Sequence, residues 1–113
     1  MKSLGRTSRL ILTVLARSPA HGYGVIRWVK DVSGGAEQLA VGSVYGSMDK
    51  LEAQGHIEYS HDEVENGRTR RYFQITDSGR TRLQVEVAKL ATEVKAAQTA
   101  LSLDLGGLSG EPA

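Results

Sequence analysis

Four stretches of the chain repeat apolar residues at helical spacing, and two more alternate them with polar ones. Leu10, Ile11, Val14 and Leu15 fall on one face of a helix that runs to about Arg17, with Thr7 or Ser8 as its cap. Pro19 ends it, because the residue before a proline resists the helical region. His21-Gly22-Tyr23-Gly24 opens a second helix whose buried stripe is expected at Val25, Ile26, Val29 and Val32, and Gly34-Gly35 stops it. Trp28 sits one position off that stripe and is expected in the core or at a subunit contact ahead of stacking on a ligand. A third helix, from Val41 to Gln54, presents Val44, Met48 and Leu51 to the core and is closed by Gly55. The period then falls to two: Ile57 and Tyr59 mark one strand, Arg71, Phe73 and Ile75 another. Between them lies Asp62 to Gly67, where Asn66-Gly67 supplies the positive-φ residues of a hairpin turn. Thr76 caps a fourth helix, along which Leu83, Val87, Leu90, Val94, Ala97 and Leu101 step by alternating fours and threes.

These elements predict a mainly α fold with a small antiparallel β-hairpin: a winged helix-turn-helix followed by a C-terminal helix whose heptad seam calls for a partner helix, the same helix of a second chain ahead of the first helix of its own chain. The expected division is a winged helix-turn-helix domain over residues 1–76, a dimerisation helix over 77–103 and a glycine-rich flexible tail over 104–113.

The third helix carries the candidate chemistry. Opposite its apolar stripe it has Gly42, Ser43, Gly46 and Ser47 beside Tyr45 and Lys50. A solvated helix normally shows long charged side chains there, and a mid-helix glycine costs on the order of 1 kcal/mol against alanine. Small residues suit a close-approaching surface, and hydroxyls and an ammonium are the groups that hold phosphate oxygens and base edges. The helix is therefore expected in a DNA major groove, with Ser43, Tyr45, Ser47 and Lys50 on bases or phosphates and Tyr23 on a phosphate. Arg68, Arg70 and Arg71 of the hairpin are expected on the flanking backbone. The competing readings are that Tyr45 is partly core and that the arginines merely pair with Asp62, Glu63 and Glu65.

Net charge is only +1, so bulk charge does not announce a nucleic-acid partner. Its distribution says more. Every charged residue up to Lys30 is basic, Asp31 to Glu65 is acidic apart from Lys50, and five arginines follow between Arg68 and Arg82. Such segregation leaves room for one basic face in a nearly neutral protein. At 113 residues the chain makes one modest core that dimerisation would help. No apolar run approaches the roughly 18 residues of a membrane span, which together with the absence of cysteine points to the cytoplasm. Without cysteine there is no thiolate zinc site or thiol nucleophile, and His21, His56 and His61 have no accompanying ligand set or nucleophile. Neither an enzyme, a metal sensor nor a cofactor is expected. The alternative from another class is a winged-helix module that binds protein and not DNA.

The chain resembles the PadR-like transcriptional regulators in His21-Gly22-Tyr23, in Gly42-Ser43-Val44-Tyr45 with Met48 and Lys50-Leu51-Glu52, and in Gly55-His56-Ile57. The resemblance continues through Gly67-Arg68-Thr69-Arg70-Arg71-Tyr72-Phe73 and Ile75-Thr76-Asp77-Ser78-Gly79-Arg80. It implies a dimeric DNA-binding repressor of a kind whose affinity is often altered by a small molecule or a stress signal, and two copies of the third helix are expected on a pseudo-palindromic operator in duplex DNA. A single short fourth helix is similar to the compact subgroup of that family. If an effector is used, Trp28 is the residue expected beside it. The chain departs from the family pattern at Ala40-Val41, where Ser-Pro is usual, and at Gly46, where proline is frequent.

Overall fold

The computed structural model describes residues 3–109. In chain order it contains α1 (Arg6–Arg17), α2 (Gly22–Val32), α3 (Val41–Ala53), β1 (Ile57–Glu65), β2 (Arg68–Ile75) and α4 (Asp77–Ser109). This is the winged helix-turn-helix with a two-stranded antiparallel hairpin that the periodicities predict.

Helix α1 begins one to two residues before the expected caps. Gly5 stands at the N-cap and no side chain caps the first turn. Ile11, Leu12, Val14 and Leu15 are buried and Leu10 only partly, so the stripe is turned toward Leu12. Three consecutive apolar residues leave the facing of a helix ambiguous, and packing against α2 and α3 decides it. In α2, Val25 and Val29 enter the core and Ile26 packs at its edge, but Val32 stands exposed on the last turn, beyond the reach of its neighbours. Gly34 and Gly35 stop this helix with φ of 64° and 89°. Trp28 packs partly against the core with the Arg17 guanidinium 5.4 Å from its ring centroid.

Val44, Met48 and Leu51 of α3 are buried as their spacing predicts, and with Ile11, Leu12, Leu15 and Val25 they form a core that Ile57 and Phe73 of the hairpin close. Burial of each such side chain is worth roughly 1.5–3 kcal/mol before the entropy of ordering is counted. The hairpin is longer than the sequence alternation suggests. Asp62 to Glu65 belong to β1, and the turn is only Asn66 and Gly67, with φ of 50° and 78°. Both central residues at positive φ make the two-residue turn whose twist matches the strands. A register shift between Tyr59 and His61 leaves Ser60 as the extra residue of a bulge. Ala20 forms an isolated bridge to β2 by exchanging two backbone hydrogen bonds with Phe73, so the segment between α1 and α2 is pinned to the hairpin.

The start of α4 is tied to the end of α3. Thr76 accepts from the Gly79 amide at 3.1 Å through Oγ1, the expected cap, and donates the same hydroxyl to the Gly55 carbonyl at 2.6 Å. Ser78 Oγ lies 2.8 Å from His56 Nδ1, and Arg80 reaches the Ala16 carbonyl in the last turn of α1 at 3.5 Å.

The compact unit built by these elements ends at Leu83, and Gln84 begins a second. The second unit is the rest of α4. On it Val87, Val94 and Leu101 of the heptad seam are exposed by 53%, 53% and 62%, Ala97 is exposed as well, and Leu90 is half-buried. Helical backbone continues through Ser109, past Asp104 where the tail was expected to start. Each added residue of a nucleated helix gains a backbone hydrogen bond, which offsets the cost of Gly106 and Gly107. The remainder of that expected tail, 110–113, lies outside the described residues.

Candidate nucleic-acid interface

Helix α3 leaves three strips of its surface uncovered. At 3.6 residues per turn, about 100° each, Ser43, Ser47, Lys50 and Gln54 share one flank of the buried stripe. Tyr45 stands on the other flank, roughly 160° round from Ser43. Between the flanks, farthest from the core, run Gly42, Gly46 and Asp49, all exposed. A Cβ added to Gly42 or Gly46 would meet no atom within 4 Å, so nothing inside the chain requires glycine at these positions. The helix begins at Val41 with Ala40 at the N-cap and no side-chain capping bond. Its first amides thus have no side-chain acceptor competing for them.

The Tyr45 flank is a built cluster. The rings of Tyr23 and Tyr45 meet edge to face with centroids 5.9 Å apart, and the Arg70 guanidinium lies 4.7 Å from the Tyr23 centroid. Three of the residues expected to touch DNA, from α2, α3 and β2, therefore converge. Tyr45 is 40% exposed, so it belongs to the surface more than to the core. Partial burial raises the pKa of its hydroxyl, as does Tyr23, while Arg70 opposes them. Tyr45 remains a neutral donor at physiological pH. Gly22 makes the cluster possible: a Cβ there would sit 2.6 Å from Tyr45 Cζ.

The wing arginines divide. Successive strand residues face opposite ways, so Arg68 and Arg70 share one face of β2 and Arg71 takes the other. Arg71 lies over the rings of Tyr59 and Phe73, at 5.1 and 5.4 Å. Arg68 is exposed beside the turn. The register sets Asp62 opposite Arg71, Glu63 opposite Arg70 and Glu65 opposite Arg68. Cross-strand pairs of this kind contribute only about 0.2–1 kcal/mol. Arg70 also packs on Tyr23, and its buried Nε–H has no hydrogen-bond partner.

Sequence reasoning missed what orients the wing. His21 is buried, and its Nδ1 accepts from the Gly24 amide at 3.1 Å as the N-cap of α2. The ring proton therefore rests on Nε2, which faces Glu65 Oε2 at 3.4 Å. Glu65 also accepts from the Tyr72 hydroxyl at 3.1 Å, and that bond, with His21 nearby, holds its carboxyl pKa below the usual range. Tyr72 meets His21 edge to face at 5.1 Å and stacks on His61 at 4.8 Å. The hairpin near its turn is thus fastened to the start of α2, which carries Tyr23. The pairing of a helix cap with a residue 44 positions away leaves no local trace in the sequence.

The Ser43 flank borders a groove of about 950 Å³ whose other wall is the chain from Ser3 to Ser8. Ser43, Ser47 and Lys50 all line it.

The model of the transcriptional regulator PadR-like family matches residues 11–85. The chain belongs to that family. Its members are regulators of transcription and not enzymes. A Streptomyces fradiae protein from a transposon is 37% identical to this PadR-like chain over 82 residues, 73% of the chain but 22% of that protein's own length. A Lysinibacillus sphaericus protein is 26% identical over 80% of this chain and 83% of its own. Among solved structures, a PadR family regulator from Clostridium difficile shares the fold at a TM-score of 0.70 and 22% identity, covering 86% of this chain and 99% of that one. Bacillus subtilis PadR in complex with operator DNA is similar at a TM-score of 0.63 and 20% identity, covering 73% of this PadR-like chain and 46% of that one. Among the described residues no helix is long and apolar enough to cross a membrane.

Proposed function

We propose that this PadR-like protein is a homodimeric, sequence-specific DNA-binding repressor of the cytoplasm. The observation that carries the reading is the convergence of Tyr23, Tyr45 and Arg70 beside the small-residue outer strip of α3. The fold it shares with a regulator solved on operator DNA supports it. In this reading the α3 helices of two protomers enter successive major grooves of a pseudo-palindromic operator about one helical turn apart. Ser43, Tyr45, Ser47 and Lys50 touch bases or phosphates, Tyr23 a phosphate, and Arg68, Arg70 and Arg71 the flanking backbone. Residues 1–76 form the DNA-binding domain, and 77–103 dimerise through Leu83, Val87, Leu90, Val94, Ala97 and Leu101. Occupying a promoter represses it. A small-molecule effector would act from beside Trp28 by binding one dimer geometry better than the other, since only differential affinity shifts an equilibrium.

Salt titration of affinity for duplex DNA tests the reading. Phosphate contacts predict a linear fall of log affinity with log salt, and Arg70→Ala should weaken binding to every sequence and reduce the slope by about 1. A wild-type protein that binds no duplex at low salt would leave only a protein-binding module.

Gly22→Ala separates function from stability. The new methyl meets the far end of the half-exposed Tyr45, which can swing outward, so the melting temperature should move little. Tyr45 then leaves Tyr23 and Arg70, and affinity for operator DNA should fall on the order of tenfold. Fluorescence anisotropy together with thermal melting reads both effects.

A further inference from the structure

The groove beside the Ser43 flank is lined mainly by polar residues. Lys50 and Arg82 line it with Thr7, Ser8 and Gln54, and none of its lining residues is a carboxylate, although the chain has 13 acidic residues against 14 basic ones. Arg6 lines it too and is ion-paired with Glu37, and Arg82 is likewise engaged by an interaction within the chain. Sites for small ligands reach roughly 1,000 Å³ but are lined predominantly by apolar and aromatic groups. A trough of hydroxyls, amides and cations without a negative charge suits phosphate oxygens instead. It also sits where a DNA strand would pass. Its α3 wall is the flank roughly 160° from Tyr45, with the outer strip of Gly42 and Gly46 between them.

We propose that this groove holds the sugar-phosphate backbone of one of the two strands bordering the major groove that α3 enters. The wing and the Tyr23–Tyr45–Arg70 cluster would hold the other. The start of α1, with Thr7 and Ser8, thereby becomes the second jaw of a clamp whose first jaw is the hairpin, and Lys50 and Arg82 supply its charge. Phosphate contacts on both sides fix the depth and tilt of α3, which direct base contacts need but cannot set alone. The inference rests on the DNA-binding reading above.

Because phosphate contacts do not depend on sequence, a fluorescently labelled 30-base-pair duplex of arbitrary sequence serves as the probe. Its anisotropy is followed across a potassium chloride series for the full-length protein and for Arg82→Gln, Gln54→Glu and Arg70→Ala, each first checked for an unchanged melting temperature. Arg82→Gln should lower the salt slope by about 0.9 for each protomer bound. Gln54→Glu, an isosteric change at the exposed C-cap of α3, should weaken binding several-fold at low salt and progressively less as salt screens the added carboxylate. If Arg82→Gln does not stay folded, Gln54→Glu decides alone. Wild-type affinity and slope in the groove variants, beside a reduced slope in Arg70→Ala, would overturn the clamp and leave the DNA reading standing. No salt-dependent binding by the wild type would overturn both.

Discussion

Gly79→Ala should lower the thermal midpoint by roughly 10–20 °C, the equivalent of about 2–3 kcal/mol in a domain of this size. A Cβ at this position would stand 2.1 Å from the His56 carbonyl oxygen and 2.7 Å from Ile75 Cγ1. Neither neighbour can yield cheaply. The His56 carbonyl accepts from the Thr76 amide at 3.1 Å, the His56 amide donates to the Leu51 carbonyl at 2.9 Å, and the His56 ring pairs with Ser78. Relief would therefore move the end of α3, the start of β1 and the cap of α4 together. Gly46→Ala is the control with the opposite sign: it lies in the exposed interior of α3 with nothing within 4 Å, so alanine should stabilise by up to about 1 kcal/mol. Thermal unfolding followed by circular dichroism measures both. A Gly79→Ala variant that melts with the wild type would mean the α3–α4 junction is looser than its hydrogen bonds imply.

The contrast between these two glycines bears on what can be read from a sequence. Gly46 is legible, because a helix former's absence from an amphipathic stretch is visible as composition alone. Gly79 is not, since its constraint comes from a carbonyl 23 positions earlier. The same distinction runs through the rest of the chain. The buried stripe of α3 and the cap at Thr76 follow from local spacing and chemistry and appear as expected. The facing of α1 was ambiguous because Leu10, Ile11 and Leu12 are all apolar, and only its neighbours choose among them. Asp62 to Glu65 read as loop because their charges hide the strand period, yet the positive φ of Asn66 and Gly67 forces a two-residue turn and so carries both arms of the hairpin to it. In the candidate site, the residue types on α3 were visible in the sequence. Their separation onto two flanks was available from the helical angle, but the partners of each flank, Tyr23 with Arg70 on one and the chain from Ser3 to Ser8 on the other, required the tertiary fold.

On the homodimer proposed above, Val94→Asp should convert dimer to monomer in sedimentation equilibrium while leaving the melting of the winged domain nearly unchanged. Leu90 is half-buried within a single chain, so its replacement would mix folding with association, whereas Val94 is 53% exposed and reports association alone. In the proposed dimer a seam of Val87, Leu90, Val94, Ala97 and Leu101 would bring the same position of both helices near the two-fold axis, so a single substitution would introduce two carboxylates. An unpaired charge moved from water into such a contact costs several kcal/mol per ion, and two like charges repel besides. Monomers keep every DNA contact of one protomer but lose the second as an intramolecular event, which should cost roughly 10²–10⁴-fold in affinity for a two-half-site operator. Affinity for an isolated half-site should stay within about twofold of the protomer's own, since no residue of the α3 face has changed. A Val94→Asp protein that still sediments as a dimer would place the two-fold contact elsewhere on the chain, and with it the spacing between the two α3 helices.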